Sequence, residues 1–270
     1  MPELAGGLGE ELKRLQANVR EHPDDPKLRT YLFQLLAVQG DWQRALNQLQ
    51  VVAQLDAGAL PMAQMYREAI RCEAFRTEVF AGRRTPSILG EPPGWMGLLV
   101  DALQKLAGGH VSAAEDLRAQ AFEQAPAKPG TADGRPFEWL CDADSRLGPV
   151  CEAIIDGKYY WVPFDQIVAL HIDAPVDLRD VVWATAQFEL VTGAPQLALV
   201  PARYVGSHAA DDDAVKLSRM TTWQERGTGT YVGLGQRMWA TDDDELALLD
   251  TRDIRFGNHL SSSPSQTPQA

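Results

Sequence analysis

Apolar residues recur at helical spacing from Leu8 to Gln124. Leu8, Leu12, Leu15 and Val19 mark one stripe, Leu28, Tyr31, Leu32, Leu35 and Leu36 a second, and Trp42, Ala45, Leu46, Leu49 and Val52 a third. Positions three and four apart share one helix face, so each stripe predicts an amphipathic helix turned toward a core. A long fourth helix is predicted from Met62, Met65, Tyr66, Ala69, Ile70, Phe75 and Val79. Trp95, Leu98, Leu99, Ala102 and Leu103 predict a fifth, and Val111, Ala114, Leu117, Ala121 and Phe122 a sixth. The breakers HPDDP, QGD, DAGALP, RRTPSILGEPPG and AGGH separate them.

Two of those breaks are alike. Gly40-Asp-Trp-Gln-Arg-Ala45 and Gly109-His-Val-Ser-Ala-Ala114 each read Gly, polar, apolar, two polar or small residues, then Ala. Glycine permits a sharp turn, the apolar residue covers it, and alanine lets a neighbouring helix approach closely. The pattern resembles the second half of a tetratricopeptide repeat, and the 69 positions between the two glycines span about two 34-residue units. The middle unit is degenerate, with Ala74 where its glycine should stand. Residues 1–125 are therefore expected to form a tetratricopeptide-like helical domain, a pattern that other antiparallel helical arrays share in large part.

Residues 126–136, PAKPGTADGRP, read as a Pro/Gly-rich linker, and beyond them the apolar period falls to two. Strands are predicted over 150–155, 158–162, 167–172, 181–190, 196–200, 217–225 and 236–240, separated by DG, DAPVD, TGA and GTG turns. The expected fold class is α+β, an all-α N-terminal half followed by a compact mostly-β domain over 137–257. Residues 258–270, ending SSSPSQTPQA, are too polar to pack and are expected to be a disordered tail.

Asp156-Gly157 sits between two apolar runs, and a two-residue type I′ turn needs positive φ at both central positions. That fixes a register: Ile155 faces Lys158, Ile154 faces Tyr159, Ala153 faces Tyr160, Glu152 faces Trp161 and Cys151 faces Val162. Opposed residues share a side of the sheet, so Tyr159 and Trp161 join Glu152 and Ile154, while Tyr160 joins Cys151, Ala153 and Val162. One side is core. The other either packs against a second layer or is an exposed apolar patch, in which case Tyr159 and Trp161 are the recognition residues. Pro163 cannot donate to a ladder, so the strand is expected to end there or lie at an edge.

Charge narrows the choice of partner. Of the formal net charge of -12, -2 falls in residues 1–130 and -10 in the remainder, and no Lys/Arg stripe interleaved with aromatics offsets it. Such a surface repels phosphate backbones and anionic lipid heads, so no nucleic acid partner is expected. No basic n-region with an apolar h-region opens the chain, and no run of about 18 apolar residues occurs, so a cytoplasmic protein without membrane insertion is expected. Cys72, Cys141 and Cys151 form neither a disulfide framework nor a CxxC motif, and read as reduced core thiols.

Catalytic chemistry finds little support. Gly227-Thr-Gly-Thr-Tyr-Val-Gly-Leu-Gly235 lacks the Lys-Ser/Thr of a P-loop and a helix to open, and reads as a glycine-rich β connection. His171 and Asp173 have no further histidine at ligand spacing. Asp211–Asp213 and Asp242–Glu245 lack the alternation of a Ca²⁺ loop, and the second run is expected to begin a short helix holding Leu246, Leu248 and Leu249. No metal, cofactor or catalytic residue is expected. The rival reading is a hydrolase with a site between the halves around His171, Asp173 and Arg203.

The stretch Asp142-Ala-Asp-Ser-Arg-Leu-Gly-Pro-Val with IIDGKYYWVPFDQI, then Leu178-Arg-Asp-Val-Val-Trp183 and Leu199-Val-Pro-Ala-Arg-Tyr204, resembles the ImpE family, also called TagJ or SciE. Its members are accessory proteins of bacterial type VI secretion systems. The resemblance implies a non-enzymatic cytoplasmic adaptor that binds the small, TssB-type subunit of the contractile sheath and is associated with the disassembly ATPase ClpV. Arrays of helix pairs present grooves that take a helix or an extended peptide. Tyr31, Gln34, Met65, Tyr66 and Arg67 are the candidate groove residues, because polar or adaptable side chains interrupt the apolar stripes there. A homo-oligomer built through Tyr159 and Trp161 is a third reading.

Overall fold

The computed structural model describes residues 6–193 and 195–257. The tail expected at 258–270 lies outside the described residues. Each apolar stripe becomes a helix: α1 (Gly7–Glu21), α2 (Pro26–Val38), α3 (Trp42–Leu55), α4 (Leu60–Phe80), α5 (Gly94–Ala107) and α6 (Val111–Gln124). Their starts follow local chemistry. The carboxylate of Asp25 caps α2 by accepting from the N–H groups of Lys27 and Leu28, with Pro26 at the first helical position.

The two like-patterned breaks fold alike. Gly40 and Gly109 take φ of 71° and 80°, a region alanine would enter only with strain. In one, Gly40 and Asp41 donate to the carbonyls of Ala37 and Leu36. In the other, Gly109 and His110 donate to those of Leu106 and Lys105. Both are Schellman ends that reverse the chain into the next helix. Ala45 and Ala114 are buried where the paired helices touch. At Ala74 there is no third turn, because α4 runs through it unbroken.

The strands are β1 (Ser87–Ile88), β2 (Gly130–Ala132), β3 (Arg135–Phe137), β4 (Leu140–Asp142), β5 (Val150–Ile155), β6 (Lys158–Pro163), β7 (Ile167–Ile172), β8 (Trp183–Leu190), β9 (Gln196–Pro201), β10 (Thr221–Glu225), β11 (Tyr231–Gly235), β12 (Met238–Thr241), β13 (Glu245–Ala247) and β14 (Asp253–Phe256). Among the described residues nine of them form one sheet in the order β1-β6-β5-β9-β8-β7-β14-β2-β3. β10-β11 and β13-β12-β4 form two smaller sheets. The α+β class therefore holds, with helices first and sheet after.

The β5–β6 hairpin has the register expected of its Asp-Gly turn, from Ile155 opposite Lys158 to Cys151 opposite Val162. Asp156 and Gly157 both have positive φ. The same device at Asp133-Gly134, again with positive φ at both residues, joins β2 to β3. The segment expected as a linker at 126–136 thus carries sheet strands, because its Asp-Gly pair is a hairpin turn. Other expectations shift locally. Residues 213–216 are a short helix, so the strand predicted from Leu217 starts at Thr221. The segment 178–181 is a 3₁₀ turn, and Leu246 lies in β13 instead of a helix. Thr241 causes the last change: its hydroxyl accepts from the Asp243 and Asp244 N–H groups and closes a β12–β13 turn.

The two halves share one continuous apolar core. Helix α4 lies on the β5–β6 hairpin, with Phe75 against Tyr159 (6.0 Å between ring centroids) and Phe80 against Trp161 (6.3 Å). Strand β1, which follows α4, adds to the edge of β6. Trp183 of β8 meets both Trp42 and Tyr66.

Candidate functional site

Where α4 meets the sheet, charge is buried. Strand β5 pairs with β9 only at Ile154–Leu199 and Ile155–Ala198, and the two then separate. Guanidinium groups serve the opened ladder. Arg237 Nε donates to the Pro201 carbonyl at 2.9 Å, and Arg76 Nη2 to the Arg203 carbonyl at 3.0 Å. Both arginines then converge on Glu152. Arg76 reaches it through Nε (2.6 Å) and Nη2 (2.9 Å), and Arg237 through Nη2, while Arg237 Nη1 takes Asp142. The Tyr159 hydroxyl also donates to Glu152 and accepts from the Trp161 indole N–H at 2.8 Å. Glu73 ties the helix to β8 by accepting from the Trp183 indole at 3.0 Å.

Burial opposes ionisation of Glu152, but Arg76 and Arg237 outweigh it and hold the carboxyl down to about 2. For Asp142 burial wins over Arg237 and pushes the carboxyl up to about 7. Burial beside Glu152 drives the Tyr159 hydroxyl well above its ordinary range, so it remains a donor. These charges are spent on one another and on backbone. The cluster fixes helix to sheet and has no access for a substrate.

That junction decides the fate of the expected recognition residues. Tyr159 and Trp161 are 3% and 0% exposed, so they contact no partner and cannot build a homodimer. The side of the hairpin they occupy is covered by α4, a second layer that the alternation of the strand could not reveal. Tyr66 is 4% exposed, seated on Phe33 and Trp183 with the Arg179 guanidinium 5.0 Å above its ring, and Gln34 is buried. Residues 32–38 of α2 are buried throughout, and Arg203 donates to the carbonyls of Ala37 (3.0 Å) and Val38 (2.7 Å). The groove expected along this helical array is therefore filled by the protein's own β half. Tyr31 stays half-buried, with burial and Glu11 raising its hydroxyl to about 12.

Met65 and Arg67 remain accessible, on two sides of α4. Met65, 39% exposed, lines a cleft of about 430 Å³ with Gln64, Glu68, Asp156 and the exposed Leu197 of β9. Arg67 lines a polar cleft of about 360 Å³ between α3 and α4 with Gln43, Asn47, Gln50 and Arg71. It makes no ion pair among the described residues. The three rival catalytic residues do not converge. His171 lies at the surface, 3.0 Å from Asp253 and 3.6 Å from Asp173. Its level on β9 is Leu197, four residues or roughly 13 Å before Pro201, and the buried Arg203 lies beyond that. No group of His, Cys, Asp and Glu suited to a metal occurs among the described residues, and no helix there is long and apolar enough to cross a membrane.

Residues 134–255 match the family model described as ImpE protein. The chain is 51% identical over 252 residues to the type VI secretion system accessory component TagJ of Pseudomonas aeruginosa, a match covering 93% of this chain and 88% of that protein. The fold is similar to the crystal structure of protein VPA1032 from Vibrio parahaemolyticus, with a TM-score of 0.84 and 27% identity over 94% of this chain and 95% of that one. Half of all positions identical along nearly the full length, with the buried arginine–carboxylate junction inside the matched span, leaves one conclusion: the chain belongs to the ImpE/TagJ family.

Proposed function

We propose that this protein is a non-enzymatic adaptor of a type VI secretion system, binding a segment of the TssB-type small sheath subunit and presenting it to the ATPase ClpV. The observation that carries this reading is the 51% identity to the accessory component TagJ. The helix pairs α2–α3 and α5–α6, with their matching glycine turns, are read as diverged tetratricopeptide-type units. The binding surface is assigned to the two clefts flanking α4. Met65 and Leu197 offer an apolar, adaptable wall beside Glu68 and Asp156, and Arg67 offers a cation.

Calorimetric titration of the full chain with a purified TssB-type subunit tests this. Micromolar or tighter binding is expected, weakened at least about fivefold by Met65→Asp or Arg67→Glu with the unfolding midpoint unchanged. No heat at micromolar concentrations rejects the partner. Parental affinity in both variants rejects the surface. Co-elution of ClpV only when the subunit is present is expected of an adaptor, and ClpV failing to join rejects the link.

A further inference from the structure

Besides the clefts flanking α4, an apolar cleft of about 320 Å³ at the end of α6 and the outer edge of β10 stay open. Only the edge carries a pattern that specifies what covers it. In the β10–β11 hairpin, Thr222 stands opposite Leu234 and Gln224 opposite Val232. The same ladder continues at both ends, where Arg226 N–H donates to the Thr230 carbonyl at 2.8 Å and Gln236 N–H to the Met220 carbonyl at 3.1 Å. Even-numbered positions therefore carry the hydrogen bonds. Bonded and non-bonded pairs alternate along an antiparallel ladder, so the backbone groups of Thr221, Trp223 and Glu225 point away from β11.

The two outer edges of the hairpin differ. On β11, the N–H groups of Tyr231, Gly233 and Gly235 donate to Ser145 Oγ (2.9 Å), Asp144 Oδ2 (2.9 Å) and Ser207 Oγ (2.8 Å). The Tyr231 and Gly235 carbonyls accept from the N–H groups of Ser145 and Tyr204, which closes that edge. On β10, the outward backbone groups of Thr221, Trp223 and Glu225 have no partner among the described residues. The strand TTWQE has no proline, lysine or bulge, the usual guards of an open edge. The other sheet ends, β1, β3, β4 and β13, are two or three residues long. Trp223 is 39% exposed and is held against the Tyr204 ring at 5.6 Å between centroids.

We propose that the β10 edge pairs with the same edge of a second copy of this chain, antiparallel about a two-fold axis at Trp223. In that register Thr221 lies opposite the partner's Glu225, and Trp223 opposite the partner's Trp223. Every outward backbone group of the three residues then finds a partner, and two indoles meet at the axis. Charge selects a second copy as the occupant. Arg219 and Glu225 are exposed and make no ion pair among the described residues. They stand six positions apart in the chain, roughly 20 Å when extended, so one copy cannot pair them. The two-fold places the partner's Glu225 one diagonal step from Arg219, about 7–8 Å, within reach of long side chains, and does so twice. A strand of an unrelated protein has no such constraint. Five residues of edge bury little area, which makes the dimer weak and reversible. The edge shares no residue with the α4 clefts, so its failure leaves the sheath-binding reading untouched.

Sedimentation equilibrium of the full chain at about 0.15 M salt tests this. A monomer–dimer equilibrium with Kd of about 1–100 µM is expected. Glu225→Arg sets like charges against Arg219 at both ends of the pairing, and should raise Kd about fivefold or more with the unfolding midpoint unchanged. Combining it with Arg219→Glu restores opposite charges and should return Kd to within about threefold of the parent. Amide exchange reads the alternation. Between about 5 and 300 µM protein, Thr221, Trp223 and Glu225 should slow at least about twofold while Thr222 and Gln224 stay unchanged. The proposal is overturned by a monomer at every concentration up to about 300 µM, or by a parental Kd in Glu225→Arg. A double variant as weak as the single, or protection that ignores the alternation, overturns it equally.

Discussion

Replacing Arg237 with methionine is expected to cost the protein about 4 kcal/mol of stability. The side chain is fully buried and joins Asp142, Glu152 and the Pro201 carbonyl. Methionine keeps most of the apolar stem and removes all three contacts. Stranding one partner of a buried ion pair costs about 3–5 kcal/mol, and a buried carbonyl without a donor about 1–3 more. Two features hold the total near the lower end. Arg76 still grips Glu152, and Asp142, already pushed up to about 7 by burial, escapes part of its penalty by taking a proton. Urea unfolding followed by circular dichroism reads the loss. At an m-value of about 3 kcal/mol per M, the midpoint should fall by more than about 1 M with the slope unchanged. Because the stranded Asp142 prefers its protonated form, the variant should weaken further as pH rises from 6 to 8.5. Adding Glu152→Gln removes the carboxylate that has lost one of its two arginines, so the double variant should lose less than the two single losses combined, by about 1–3 kcal/mol. A midpoint shift under about 0.3 M, or strict additivity, would refute the account of this cluster as a mutually dependent unit.

Acid should act through Glu152. Its carboxyl is held at about 2 against an ordinary value of 4.5, so its contribution of about 3 kcal/mol is complete above pH 4.5 and is lost as pH falls toward 2. Glu152→Gln should flatten that limb of the stability profile, and an unchanged limb would exclude the residue as its source. Gly235 has φ +97°, and a Cβ there would meet the Met220 carbonyl oxygen at 1.9 Å. Gly235→Ala should cost at least about 1–3 kcal/mol and loosen the β10–β11 hairpin, seen as faster amide exchange at Thr221–Glu225. Burial pushes the Cys72 and Cys141 thiols up to about 12 and Cys151 higher still, so native protein should react with a disulfide reagent at pH 8 far more slowly than unfolded protein. Fast native labelling of Cys72 and Cys151 would contradict their burial.

Much of the architecture was legible along the chain. The helical stripes place all six long helices, and Asp156-Gly157 sets the β5–β6 register residue by residue. The same signal at Asp133-Gly134 was open to the same reading and was hidden by the Pro/Gly-rich composition around it. Two-residue β1 and the short β4 gave no alternation to read, and their pairing with β6 and β12 depends on residues far away. The surface was less legible than the fold. Among the residues singled out for recognition, Met65 and Arg67 stay open, while Tyr66, Gln34, Tyr159 and Trp161 are covered. A tyrosine beside a charged residue reads the same in a core as at an interface, because both settings favour a ring with a polar tip.

Turn torsions and apolar period are properties of a few adjacent residues, and these the sequence by itself determined: helix pairs first, strands after, and a hairpin in known register. Only the tertiary structure decided that residues 76, 142, 152 and 237 share one buried charge cluster, that α4 shuts off the aromatic side of the hairpin, and that clefts beside α4 and α6 stay open. The reason is that burial is a sum over segments distant in the chain. Whether a side chain ends in water or in the core depends on what packs over it, and no local pattern carries that information.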